Sequence, residues 1–547
     1  MSNFIQNLYR LSLVAGLVLP VAAWAQAGAD GAGAALADTV SDARTVPLDA
    51  VPVARTALKL TPLDVAYFKE TAYTLAAGNA SALVLGRQVA YSDLSLGLGI
   101  ENGSFHRPQQ AAHIFNYGLD AEGAMTLGKL YVSGGFRFLQ SKEDDVKFNS
   151  ILDPYRGTPY IIADSTGGDW TKQAYDLWAQ GTSPLIADVV AFGLRAGINV
   201  NRGAKKIDPR PQSNSNAISV SPSVTLRYRA HALSGDYTYR RFRENTNLML
   251  YNSSEAQKIY LLKGMGQYIY DIFSANERER QYKGDGHTAG VEYHFDMRRF
   301  HLLVRGTYEN YVEEASDIEN NKPRKRGRIY ENNYGARLVA SYTGDRLTHQ
   351  LEAEYRDDER SGREIIQVFN SDAGVNAWQT DSEAPRRSVV TSRAAELRYA
   401  LMVMASPERY KWRVALDGRI ERFADEYAVL DSYNRFRRGV AGLEVVRTLE
   451  ARKCYYRVGL NGMVNRVWDK SMNYVTRESE DRTIENGFVR PDIAMLWQNY
   501  YGLGADLMWG YRFRRGESVY VRAAYGYKHA ADGFSRHATE VRVGYSF

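Results

Sequence analysis

His294 stands between Glu292 and Asp296 at alternate positions, three groups able to ligate a cation from one face of an extended segment. The same spacing is the ordinary period of a β-strand, so three hydrated wall residues account for it without a metal. Near the C-terminus Asp532, Ser535 and His537 offer the acid, nucleophile and base of a hydrolase. Such a triad is defined by geometry rather than by closeness in sequence. No H-E-x-x-H pair occurs. The lone cysteine, Cys454, excludes an intrachain disulfide and a cysteine-rich metal site. Gly502, Gly504 and Gly510 make no phosphate loop and fit close approach between neighbouring strands. No catalytic residue, metal or cofactor is assigned, and an enzyme is not expected.

A larger set of charged residues lies at every second position of apolar segments. It includes Arg195, Arg227, Glu292, Asp296, Arg305 and Arg398. Arg413, Asp417, Arg419, Arg457, Arg522 and Arg542 continue it. Only an element that alternates its side chains between two faces can hold them on one side and apolar residues on the other. The final segment is the clearest case: Thr539, Val541, Val543, Tyr545 and Phe547 share one face, and Glu540, Arg542, Gly544 and Ser546 the other.

The same alternation recurs from about residue 91 to the end, and no helical period matches it in strength. The pattern predicts strands near 93–101, 111–123, 128–140, 171–183, 188–200, 216–229, 231–243, 287–297 and 300–314. It continues near 329–343, 348–358, 391–405, 410–424, 434–449, 453–467, 498–514, 518–530 and 536–547. That is about 18 strands. The segment around Thr171–Thr182 is the weakest, which leaves 16 open. Connections alternate between short ones, such as Gly344–Arg346 and Arg515–Glu517, and long polar ones near 245–285, 357–387 and 470–490. The basic run Lys322–Arg328 is expected on a long loop, as a solvated stretch or as a contact for an anionic lipid or acidic partner.

Several strands run twelve or more residues, longer than in soluble sheets and enough to cross a bilayer when tilted. A charged inner face and an apolar outer face fit a water-filled interior surrounded by lipid. Tyrosine outnumbers phenylalanine 38 to 19, and its ring with a wet tip suits a membrane interface. Tyr228, Tyr293, Phe295, Tyr342, Tyr511, Phe513, Tyr545 and Phe547 are expected in a girdle at the short-turn end. Tyr239, Tyr308 and Tyr527 are expected in one at the other end. The reading is an all-β chain forming a transmembrane antiparallel β-barrel, with short periplasmic turns and long extracellular loops.

Residues 1–25 read as a cleaved signal peptide. Arg10 and the amino terminus precede the apolar stretch Leu11–Ala23, and Ala23-Trp24-Ala25 fits an A-x-A cleavage site. Residues 26–90 read as a periplasmic segment, flexible at first and then partly helical, able to plug the barrel formed by 91–547. The net charge of +6 is spread along the chain and carries no nucleic-acid footprint.

The ending Val541-Arg-Val543-Gly-Tyr545-Ser-Phe547 resembles the C-terminal assembly signal of bacterial outer-membrane barrels. This resemblance covers about residues 91–547 and implies residence in the cell outer membrane. It also implies handling by the barrel-assembly machinery and contact with outer-membrane lipid and lipopolysaccharide. Together with the Ala- and Gly-rich start and Gly78–Leu83, it is similar to uncharacterised Bacteroidota-type barrels, some of which act beside TonB-dependent receptors. A barrel of 22 strands with a folded plug does not fit the 457 residues after Ala90. Three function classes stay open: a channel or diffusion transporter for small hydrophilic or charged solutes, a non-conducting accessory barrel beside a TonB-dependent receptor, and a barrel hydrolase.

Overall fold

The computed structural model describes residues 60–547, apart from 77, 253–255, 274–276, 320, 373–375, 408, 477–480 and 514–515. The expected signal peptide, with Ala23 and Ala25, and the stretch 26–59 lie outside the described residues.

Eighteen strands close into one antiparallel barrel. The first nine are β1 (Tyr91–Gly103), β2 (His113–Leu127), β3 (Leu130–Glu143), β5 (Trp170–Thr182), β6 (Val190–Lys205), β7 (Arg210–Tyr228), β8 (His231–Met249), β11 (Glu277–Met297) and β12 (Phe300–Glu319). The others are β13 (Lys322–Thr343), β14 (Leu347–Asn370), β15 (Ala377–Ser406), β16 (Arg409–Tyr427), β17 (Ser432–Ala451), β18 (Cys454–Asn473), β19 (Tyr500–Arg512), β20 (Ser518–Ala530) and β21 (Ser535–Ser546). The remaining three, β4 (Ile162–Ala163), β9 (Gln257–Gly264) and β10 (Gln267–Phe273), make a small separate sheet. Every expected strand corresponds to a barrel strand. The weak segment around Thr171–Thr182 is β5, so the count is 18 and not 16.

The last strand closes the ring. β21 pairs with β20 on one side and with β1 on the other, with Leu96 opposite Val543 and Leu98 opposite Val541. Alternation then sorts the side chains. Leu96, Leu98, Val541 and Val543 are exposed on the outer face, while Ser95, Arg536 and Ser546 are buried on the inner one. A run of large apolar residues exposed all round the outer wall suits lipid and not water.

Two stretches expected as loops are strand instead. β14 and β15 extend through most of 357–387, and the basic run opens β13. Cross-strand charge pairs hold these polar extensions where an apolar face is lacking. Arg363 bonds Glu383 at 2.7 Å and Arg386 bonds Glu359 at 2.6 Å. Arg324 meets Glu319 at 2.9 Å, Lys325 meets Glu314 at 3.1 Å and Arg328 meets Glu314 at 2.6 Å, so most of the basic run is paired within its own hairpin. The stretch 245–285 contains the β9–β10 hairpin. The stretch after β18 ends in a π-helical turn, Glu485–Val489, leading into the helix Arg490–Leu496.

Ahead of the barrel, α1 (Pro62–Thr71) and α2 (Tyr73–Ala76) are followed by a 3-10 turn, Ser81–Leu85. Thr61-Pro62-Leu63-Asp64 starts α1 by composition. Proline occupies the first turn, where its missing N–H costs nothing, and Thr61 and Asp64 form a reciprocal capping box.

Candidate functional site

The short helices ahead of β1 lie across the short-turn mouth and touch its wall on several sides. Leu63 packs on Tyr455 and Tyr520, and Tyr67 on Tyr410, Met402 and Val446. Tyr73 packs on Leu303 and Val339 and stacks on His301, with ring centres 5.2 Å apart. Leu83 meets Ala124 and Tyr131. Ser81 bonds Ser223 at 3.0 Å and Thr225 at 2.8 Å. Glycine makes room for two of these contacts. A Cβ on Gly510 would run into the Tyr455 ring, and one on Gly544 into the Tyr520 ring, so both rings lie flat on the neighbouring strand beneath Leu63.

Ion pairs fasten the same segment. Asp64 accepts from Arg409 at 2.6 and 3.0 Å, and Arg409 also meets Glu450. Lys69 meets Glu122 at 2.7 Å. Glu70 faces Arg413 at 3.6 Å. Beyond Arg413 the pairing runs on across the inner wall. Glu444 accepts from Arg413 at 2.8 Å and Arg398 at 2.9 Å, while Arg457 bridges Glu444 and Asp506, and Arg522 joins Asp506. On the opposite wall Arg305 donates to Asp236 at 2.7 and 3.1 Å and to Glu292. Such chains satisfy charges that would be costly to bury singly. Loss of water raises the Glu70 carboxyl above its usual pKa; Arg413 and Arg457 oppose the rise.

The long-loop mouth is filled by loops. Phe148, Ile151 and Tyr160 join Tyr260 and Leu262 of β9 and Ile484, Val489 and Ile493. This cluster rests on the inward side chains Phe242, Tyr282, Tyr311 and Ile329. Arg107 donates to Asp492 at 2.6 and 2.7 Å, and Arg156 to Glu313 while meeting Glu244 at 3.2 Å. Lys205 donates to Asp164 at 2.9 Å, with both groups buried. A cavity of 860 Å³ on the β1–β3 and β18–β21 side is lined by Asp120, Arg137, Asp506, Arg522, Arg536 and Glu540 among others. A second, of 300 Å³, lies between Glu70 and the wall at Arg337, Glu352 and Arg398.

The residues nominated from sequence fall as follows. Arg305, Glu292, Arg398, Arg413, Arg457 and Arg522 are gathered into the networks above. Arg419 meets Glu396 at 2.9 Å. Arg542 donates to Asp120 at 2.6 Å. Arg195 lies over the Trp178 ring at 5.5 Å, and Arg227 donates to the Arg229 carbonyl at 3.4 Å. Asp417 stands opposite Arg398 in the register without a bond to it. The candidate cation site separates: His294 bonds Glu292 at 3.0 Å, while Asp296 turns to His301 and to the Tyr73 hydroxyl. No metal-ligating cluster forms among the described residues. The hydrolase trio also separates. Asp532 accepts from Gln498 at 2.7 Å, His537 faces the Tyr525 hydroxyl at 2.7 Å, and Ser535 bonds Ser104 through its backbone.

Asp64, Glu70 and Asp236 were not nominated from sequence. Asp236 follows the alternation of β8 and was legible in principle. Asp64 and Glu70 sit on a helix whose docking place no periodicity reveals.

Fold and interior define an outer-membrane-type β-barrel, with charge inside and apolar residues outside. The chain belongs to the Family of unknown function (DUF6850), whose model matches residues 80–547. No curated protein matches it in sequence. Among solved structures it is similar to the ferric citrate transporter FecA in the unliganded form, at 8% identity and TM-score 0.39, over 84% of this chain and 79% of that one. It is also similar to the FrpB iron transporter from Neisseria meningitidis, at 10% identity and TM-score 0.38, over 86% and 83%. The copper transporter OprC gives 10% identity and TM-score 0.38, over 83% and 81%.

Proposed function

We propose that this protein is an outer-membrane channel for small hydrophilic or charged solutes, gated rather than constantly open. The short turns face the periplasm, and the segment 61–89 is its periplasmic plug. The observation that carries this reading is the docking of that segment by side chains that ring the short-turn mouth, with a charged cavity of 860 Å³ beyond it. A permanent brace would be served by apolar packing alone. Ion pairs such as Asp64–Arg409 and Glu70–Arg413 can instead be exchanged for water when the segment leaves. The interior mixes both signs of charge, so passage by polar solutes fits better than strong selection for one ion.

The second reading is a non-conducting accessory barrel, partnered by a TonB-dependent receptor. The apolar loop cluster at the long-loop mouth favours it, because such a cluster is costly to open. Planar-bilayer conductance of the mature chain, repeated after deletion of residues 26–88, separates the two. The channel reading expects rare openings in the mature chain and frequent ones after deletion. Silence in both preparations, with folding intact, overturns it in favour of the accessory barrel.

A further inference from the structure

On four consecutive strands the outer wall ends in arginine. Moving away from the short turns, the outward positions run Leu397, Ala395, Arg393 on β15 and Leu416, Gly418, Ile420, Arg422 on β16. They run Leu443, Ala441, Gly439, Arg437 on β17 and Leu460, Gly462, Val464, Arg466 on β18. The apolar members are well exposed, Ile420 at 64% and Val464 at 59%. Register places Arg393 directly opposite Arg422, and Arg422 directly opposite Arg437. Like charges facing each other across a sheet destabilise it unless something anionic lies against them.

The chain supplies only part of that counter-charge. Arg393 bonds both oxygens of Asp357 at 3.1 Å, and Arg437 meets Asp469 at 3.2 Å. Arg422, between two arginines, and Arg466 have no acidic partner among the described residues. Both residues are exposed at outward positions of their strands. On β14 the outward residue facing Arg393 is Asp357, and Tyr355 stands one outward position nearer the short turns.

Its height follows from strand length and from a tryptophan. About 9–11 residues of a tilted strand cross the hydrocarbon layer. β16 has 19 residues, and Arg422 comes after the first 13 of them from the short turn. Arg422 thus stands just beyond the hydrocarbon. Trp468 lies on the same outer face with its ring over Gly439, where a Cβ would come within 3.0 Å of it. Indole rings settle at the level of lipid headgroups.

We propose that the Arg393–Arg422–Arg437–Arg466 row binds the phosphate of a lipid headgroup in the leaflet on the long-loop side. Phosphate oxygens match the guanidinium fork, and one phosphate can bond two neighbouring arginines at once. Ile420, Leu416, Val464 and Leu460 below the row would lie along the acyl chains. The inference rests on the outer-membrane reading, but not on whether the barrel conducts.

The test uses the full mature chain in detergent micelles, titrated with bisphosphorylated lipid A and with dephosphorylated lipid A, and bound lipid is counted by native mass spectrometry. Wild-type protein is expected to prefer the phosphorylated lipid by about tenfold or more. The combined variant Arg393→Gln, Arg422→Gln, Arg466→Gln should lose that preference, and the matching Arg→Lys variant should keep the part of it that charge alone supplies. Equal binding of the two lipids by wild-type protein overturns the proposal and does not depend on the variants folding. Retention of the preference by a folded glutamine variant overturns it as well. Bilayer conductance of the same preparations reports on the channel reading separately, so the two can fail independently.

Discussion

Asp64 does two jobs with one carboxylate. It closes the capping box of α1 through the Thr61 N–H at 2.8 Å and hydroxyl at 2.6 Å, and it receives Arg409 from the barrel. Asp64→Ala should therefore loosen the segment twice over, by about 1 kcal/mol through the cap and about 1.5 kcal/mol through the lost charged bonds to Arg409, which keeps Glu450 as a partner. Faster proteolytic clipping of residues 61–89 would show it, with heat-modifiable migration of the barrel unchanged. Glu70 adds a pH dependence whose sign follows from its raised pKa. A carboxyl that holds its proton more tightly when docked than when free favours docking below the ordinary glutamate pKa. That advantage is lost as pH rises through the raised value. Clipping should slow as pH falls, and Glu70→Gln should flatten that trend. A trend identical in wild type and Glu70→Gln would assign the pH response to another group.

At the scale of the strand, the outward register of β21 fixes what each substitution does. Val543 is exposed on the outer wall opposite Leu96 and Val521. Val543→Arg would place a charge against lipid, costing up to about 2–4 kcal/mol near mid-membrane. Arg542 points inward to Asp120, which keeps Arg137 as a second partner at 2.5 Å. Arg542→Leu should thus reduce the yield of heat-modifiable barrel much less than Val543→Arg, and equal losses would show the register to be wrong. Strands of this kind were legible because alternation repeats over many residues, even in β5. The polar hairpin of β14 and β15 was not, since charge occupies both faces there and only cross-strand pairing reveals it. The β9–β10 sheet and the helix Arg490–Leu496 are too short for a period to emerge. The inner charges were legible as a face, but their partners were not. Whether Arg457 reaches Glu444, as its strand position implied, or also Asp506 depends on the stagger of three strands.

In the whole molecule both mouths are sealed by apolar packing with ion pairs, the long-loop mouth around a large apolar cluster and the short-turn mouth around the helical segment. Neutralising Arg413, Arg419 and Arg457 together, each to glutamine, acts on the second seal and on the interior at once. Glu444 would retain Arg398 and Asp506 would retain Arg522, whereas Glu70 would lose the arginine that it faces. Glu396 would lose Arg419. The segment should dock more weakly, and the interior should become more negative by three charges. For a channel the outcome is a higher open fraction and a reversal potential shifted toward cations, because the carboxylates left behind attract them. For an accessory barrel the same change should leave conductance near zero and lower the thermal transition instead, since several of the braces between strands are lost. The observation that would sink both is a wild-type barrel that conducts freely and whose reversal potential is untouched by the triple substitution. Ions would then be passing where these side chains neither line the path nor close it.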